Sequence, residues 1–91
     1  MFVVIAYDIA DDRRRTAVFR LLKGYGQHVQ ESVFECDVTP RHYAVLRRAL
    51  ARRLSDRADS VRYYALCQRC VGTVEVANSP EVATAPPLYL I

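Results

Sequence analysis

The stretch Phe2-Val3-Val4-Ile5-Ala6-Tyr7-Asp8, followed by Ile9-Ala10-Asp11-Asp12, decides the fold. Six consecutive apolar residues rich in β-branched and aromatic side chains are too few for a typical helix, so the run reads as a strand covered on both faces. Such a strand belongs at the centre of a sheet. Asp11 or Asp12 can then cap a helix, because a carboxylate there accepts the unpaired N–H groups of the first turn. Val18, Leu21, Leu22 and Tyr25 follow at i, i+3, i+4 and i+7 as the apolar stripe of that helix. Gly24 and Gly26 end it, either one able to adopt a left-handed cap.

Further along, His28 to Val38 carries β-branched and aromatic residues without glycine or proline and reads as extended, either one strand bent near Gln30 to Ser32 or a tight hairpin. Thr39-Pro40 starts a second helix, with threonine as N-cap and proline at the first helical position. Its apolar face is expected from Val45, Ala49, Leu46, Leu50 and Leu54, and Arg41, Arg48 and Arg52 share another face. Asp56 to Ser60 reads as a loop, Val61 to Leu66 as a strand, Cys67 to Gly72 as a turn and Thr73 to Val76 as a short strand. This order predicts an α+β, ferredoxin-like two-layer sandwich, an antiparallel sheet with two helices on one face, over residues 1–76. Residues 77–91 contain Pro80, Pro86 and Pro87 and finish on Leu88-Tyr89-Leu90-Ile91. An apolar tail of this kind is expected to dock as a strand on a sheet edge, and in so small a protein that edge is expected to belong to a second copy.

The chain has 91 residues, and a domain of that size buries only about 60–65% of its unfolded surface, which excludes a second core or a roomy private cleft. A site here is shallow or shared. No run of about 18 apolar residues occurs and the first residues lack a signal peptide's basic region, so the expected location is cytoplasmic and away from membranes. The formal charge is +3, yet twelve of the thirteen basic residues are arginine, whose planar fork binds phosphate through two bonds.

Asp8 stands at the carboxyl end of the first strand, where sheet proteins place ligands, and is also suited to capping the turn that follows. No second carboxylate lies at a metal-ligand spacing, and one carboxylate holds Mg²⁺ poorly unless waters, phosphates or a symmetry-related carboxylate complete its octahedron. Arg13, Arg14 and Arg15 sit in a first helical turn, which the macrodipole makes unfavourable for cations. They read either as phosphate-gripping groups beside Asp8 or as a solvated face balanced by Asp11 and Asp12. Arg41, Arg48 and Arg52 pose the same choice, and suit a backbone-contacting duplex face. Cys67-Gln68-Arg69-Cys70 has the spacing of a zinc knuckle or a redox pair. Zinc needs four ligands, and Cys36, His28 and His42 are scattered, so the motif reads as a turn with small thiols packed in it.

The strand ending Tyr7-Asp8-Ile9, the helix start Asp11-Asp12-Arg13-Arg14-Arg15, the Tyr25-Gly26 helix end and Val29-Gln30-Glu31-Ser32-Val33-Phe34-Glu35 together resemble the second of the universal CRISPR-associated adaptation proteins. The resemblance covers residues 1 to about 76. It implies a ferredoxin-like homodimer joined through its sheets, with one Mg²⁺ shared between the two Asp8 side chains for cleavage of RNA or DNA phosphodiesters. It further implies that Arg15 stabilises charge on the phosphate, with Tyr7, Ser32 and Phe34 in support. The implied partners are the CRISPR integrase and a DNA duplex or single-stranded RNA, the dimer serving as a scaffold in spacer acquisition. His28 and Ala17 depart from the family pattern and bear on the nuclease role more than on the scaffold. A toxin-type RNA interferase of the same fold and a non-catalytic regulatory domain are the other classes compatible with these features.

Overall fold

A computed structural model describes residues 1–55 and 57–77 of the chain. Its elements follow the order β1 (Phe2–Asp8), α1 (Asp12–Lys23), β2 (Gln27–Gln30), β3 (Val33–Asp37), α2 (Pro40–Ala51), β4 (Ser60–Leu66) and a one-turn helix, α3 (Gln68–Val71). The sheet order is β2-β3-β1-β4, with every neighbouring pair antiparallel. This is the ferredoxin-like arrangement, and β1 lies inside it as its apolar run requires.

Period-two alternation divides the sheet into two faces. Val3, Ile5 and Tyr7 of β1 and Phe34 and Cys36 of β3 join Val18 and Leu22 of α1 and Leu46 and Leu50 of α2 in one buried cluster. Each fully buried aliphatic chain there contributes about 1.5–3 kcal/mol of transfer free energy. Val4, Ala6 and Asp8 of β1, Val33 of β3, and Arg62, Tyr64 and Leu66 of β4 alternate onto the opposite face. None of them belongs to the core cluster, and Tyr64 is 47% exposed.

The caps form where the sequence places them. Asp11 accepts the Arg14 N–H at 2.9 Å, and Thr39 Oγ1 accepts the His42 N–H at 3.1 Å, with Pro40 in the first helical position. Gly24 ends α1 in a right-handed, not a left-handed, conformation (φ −78°). Gly26 is needed for room: a Cβ there would collide with the Cys36 sulfur and the Glu35 carbonyl and stand 3.0 Å from the Cys36 Cα.

Of the two readings left open for 28–38, the hairpin is the one that forms. Glu31-Ser32 connects β2 to β3, and the register slips between His28 and Gln30, leaving Val29 exposed. Val45, expected on the apolar face of α2, is 43% exposed, because Leu46 and Leu50 alone define the buried stripe. The expected strand Thr73 to Val76 does not form. Backbone N–H groups of Thr73 and Val74 bond instead to the carbonyls of Cys70 and Val71, so the turn after α3 uses donors a strand would need. The docking strand expected in 77–91 lies outside the described residues apart from Ala77. No helix among the described residues is long and apolar enough to cross a membrane.

Candidate functional site

The topology gathers the carboxyl end of β1, the start of α1, the β2–β3 turn, the end of α2 and the start of β4 at one end of the sheet. Asp8 is the last residue of β1, exposed on the sheet face opposite the one that packs against α1 and α2, and it stands across from Ser60 of β4. Its neighbour Tyr7 points the other way and is 5% exposed. The Tyr7 hydroxyl donates to the Glu31 carbonyl at 3.4 Å, and its backbone N–H donates to the Ser32 carbonyl at 3.0 Å. Tyr7 and Ser32 therefore tie the β2–β3 turn to the strand end that carries Asp8. Burial raises the Tyr7 phenol above its ordinary pKa, with nearby Arg15 partly opposing this.

Phe34 lies beneath this point in the core. Its ring stacks on Tyr7 at 6.4 Å and meets Phe19 at 5.4 Å and His28 at 5.0 Å. The His28 Nε2 also reaches the Glu31 carbonyl at 3.2 Å. His28 thus helps fix the turn near Asp8 by packing as well as by a polar contact.

The three consecutive arginines have three different environments. Arg15 turns back along the loop after Asp8: its guanidinium donates to the carbonyls of Ile9 at 3.0 Å and Ala10 at 3.2 Å, and pairs closely with Asp12. It remains 45% exposed. Arg14 donates from Nε to Asp59 at 2.7 Å and is tied into the fold. Arg13 is exposed and has no polar partner among the described residues. On α2, Arg41, Arg48 and Arg52 are exposed and likewise unpartnered among the described residues. Arg41 begins the helix at the far end of the sheet, whereas Arg52 caps it at the Asp8 end. The neighbouring Arg47 is occupied, lying over the rings of Tyr63 at 4.7 Å and Tyr43 at 5.5 Å.

Asp59 was not among the sequence candidates. Its side chain is fully buried, accepts from Arg14 and from the Ser55 N–H at 2.8 Å, and is held below the usual carboxylate range by the Arg14 bond first and the Ser55 bond second. An acid in a loop, 45 residues from its partner, gives no local signal in the sequence.

As a metal ligand, Asp8 offers oxygen donors of the kind hard divalent cations take. Among the described residues no three His, Cys, Asp or Glu side chains gather into a metal-holding group. The described residues of a single chain thus fall short of a complete ligand set at Asp8, and Mg²⁺ fits only where a second molecule, water or substrate phosphate supplies the rest.

Comparison with known proteins places this geometry. The family model described as CRISPR associated protein Cas2 matches residues 1–74. A Chloroflexus aurantiacus protein named CRISPR-associated endoribonuclease Cas2 1 is 43% identical over 93 residues, covering 100% of both chains. The crystal structure of Streptococcus pyogenes Cas2 at pH 6.5 superposes with a TM-score of 0.76 at 34% identity, covering 86% of this chain and 100% of that one. A chain of a partial Cas6-RT-Cas1–Cas2 complex superposes with a TM-score of 0.72 at 26% identity, covering 90% and 96%. Matched by that family model over residues 1–74 and by a relative 43% identical along its whole length, the chain belongs to the CRISPR associated protein Cas2 family.

Proposed function

We propose that this protein is a homodimeric, metal-dependent phosphodiesterase that also serves as a nucleic-acid scaffold for the CRISPR integrase. The observation that carries the reading is Asp8: an exposed carboxylate at the end of the central strand, on the sheet face opposite the one that packs against α1 and α2. Its position supports a site completed by a second copy, whose own Asp8 meets it when two such faces pack together. The partly apolar character of that face, with Val4, Ala6, Val33, Tyr64 and Leu66, supports the pairing.

The two Asp8 carboxylates would hold one Mg²⁺ between them. Such an ion, when bound, polarises a phosphoryl oxygen and lowers the pKa of a coordinated water. Arg15 holds the Ile9–Ala10 loop in place through two carbonyls, and the exposed remainder of its guanidinium is available to a phosphate oxygen beside Asp8. Tyr7 and Ser32 keep the β2–β3 turn from drifting over the site. Arg13, Arg41, Arg48 and Arg52 are among the exposed cations free, within the described residues, to contact a phosphodiester backbone, which sets position without reading sequence. The endoribonuclease name of the Chloroflexus relative supports RNA cleavage, and the likeness to a chain of a Cas1–Cas2 assembly supports the integrase as partner.

The test is to compare wild type and Asp8→Asn for Mg²⁺-dependent cleavage of single-stranded RNA and duplex DNA, with sedimentation confirming dimers in both. Loss of cleavage with dimers intact supports the nuclease reading. Unchanged cleavage by intact Asp8→Asn dimers overturns it. Retained duplex and integrase binding by the same variant supports the scaffold, which fails if the wild-type dimer binds neither.

A further inference from the structure

Cys67 and Cys70 play no part in the site above, and their surroundings differ from those of a pair of buried structural thiols. Both are exposed, on either side of the turn where the chain leaves β4. The Cys67 and Cys70 sulfurs stand 3.5 Å apart, within hydrogen-bond reach of one another. The turn that brings them together is well bonded: the Val71 N–H donates to the Cys67 carbonyl at 3.0 Å, and the Cys70 carbonyl accepts from both the N–H and the hydroxyl of Thr73, at 3.0 and 2.7 Å. The third cysteine is the opposite in every respect. Cys36 is fully buried in the core beside Gly26, and burial, reinforced by Glu35, pushes its thiol up to about 11.

We propose that Cys67 and Cys70 form a reversible dithiol–disulfide redox site, with Cys67 as the attacking thiolate, Cys70 as the resolving thiol and a low-molecular-weight disulfide as oxidant. Two independent features point the same way. The sulfurs already sit within reach of one another without movement of the sheet. The pair is also unequal in placement: Cys67 stands at the N-cap of α3 and Cys70 within it, and their mutual interaction lowers the Cys67 thiol from its ordinary value and raises that of Cys70. An accessible thiolate beside a second thiol is the arrangement that exchange chemistry requires. Metal capture explains the pair less well, because no third His, Cys, Asp or Glu joins it among the described residues.

In the oxidation, the Cys67 thiolate attacks one sulfur of the oxidant RSSR, forming a mixed disulfide and expelling RS⁻. Cys70 gives its proton to solvent and attacks the Cys67 sulfur, forming the intrachain disulfide and expelling a second RS⁻. Two electrons pass from the protein to RSSR, which leaves as two thiols. The bridge closes over α3, beside a cavity of about 560 Å³ lined by Met1, Phe2, Leu66 and Val71. Its redox state therefore bears on the path of the chain after β4.

The full chain is incubated with oxidised glutathione, alkylated, digested with trypsin and weighed. Trypsin cuts after Arg69, between the two cysteines, so the proposed bridge leaves peptides 63–69 and 70–91 joined, lighter by two hydrogens than their sum and separable by reductant. Cys36 should stay reduced in the folded protein, and Cys67 should alkylate at least roughly tenfold faster than Cys36. Cys70→Ser should accumulate a glutathione adduct at residue 67, and Cys67→Ser should lose the linked peptides. Both residues lie on an exposed single turn, where serine is tolerated, and the wild-type measurement needs no variant. Separate, alkylated peptides from the glutathione-treated wild type would overturn the proposal, as would an adduct on Cys70 in Cys67→Ser with none on Cys67 in Cys70→Ser.

Discussion

Arg14 and Asp59, 45 residues apart in sequence, form a two-bond fork: Nε donates to Oδ2 at 2.7 Å and a terminal guanidinium nitrogen to Oδ1 at 3.4 Å. The fork ties the first turn of α1 to the segment entering β4, and these are the elements on either side of Asp8. Its carboxylate is fully buried and its pKa is depressed by the Arg14 bond, so the pair supports the fold only while Asp59 is charged. Because the folded value lies below the unfolded one, this contribution is complete above the ordinary carboxylate range and disappears as pH falls through the folded value. Asp59→Asn should lower the thermal midpoint by several degrees at pH 7 and flatten its decline on acidification. Thermal melts between neutral and acid pH check both parts.

Gly26 faces Cys36 at a distance that admits no Cβ. Gly26→Ala should destabilise by about 1–3 kcal/mol, the usual cost of overpacking a closed core. Denaturant titration should show a lower midpoint with an unchanged slope.

The two sides of α2 should respond unequally to truncation. Leu46→Ala and Leu50→Ala each remove a fully buried side chain and should cost about 2–5 kcal/mol. Val45→Ala, at an exposed position, should change stability by less than about 0.5 kcal/mol. The contrast is read from the same unfolding titrations.

The exposed arginines of α2 should act through phosphates. Replacing Arg41, Arg48 and Arg52 together by alanine should weaken duplex binding evenly across sequences and reduce the salt slope by about one for each phosphate no longer neutralised, up to about three. Fluorescence titrations at several salt concentrations measure that slope. An unaltered slope would assign these residues to solvated surface alone.

Which of these features the sequence discloses depends on how local their causes are. The β1 run, the Asp11 and Thr39-Pro40 caps and the Leu22, Leu46 and Leu50 stripes are set by neighbours within one or two turns, and all are visible in the letters. The hairpin at Glu31-Ser32 lacks the glycine or asparagine that usually announces one. Val45 and Ala49 share a helical period, but Val45 lies one position off the stripe Tyr43, Leu46, Leu50 and Leu54 that meets the core, and so faces solvent. Asp59 and the division of labour among Arg13, Arg14 and Arg15 arise only when α1 meets the β4 entrance. The position of Asp8 at the strand end is legible in the sequence; its placement on the face opposite the core follows only from the register of β1 against β4.

A metal site shared by two chains is tested most directly by counting ions. Mn²⁺ can be titrated into the purified dimer in place of Mg²⁺ and the free ion followed by electron paramagnetic resonance. One tightly bound ion per two chains, lost in Asp8→Asn dimers, is the predicted result. One ion per chain, or binding that survives Asp8→Asn unchanged, would contradict it.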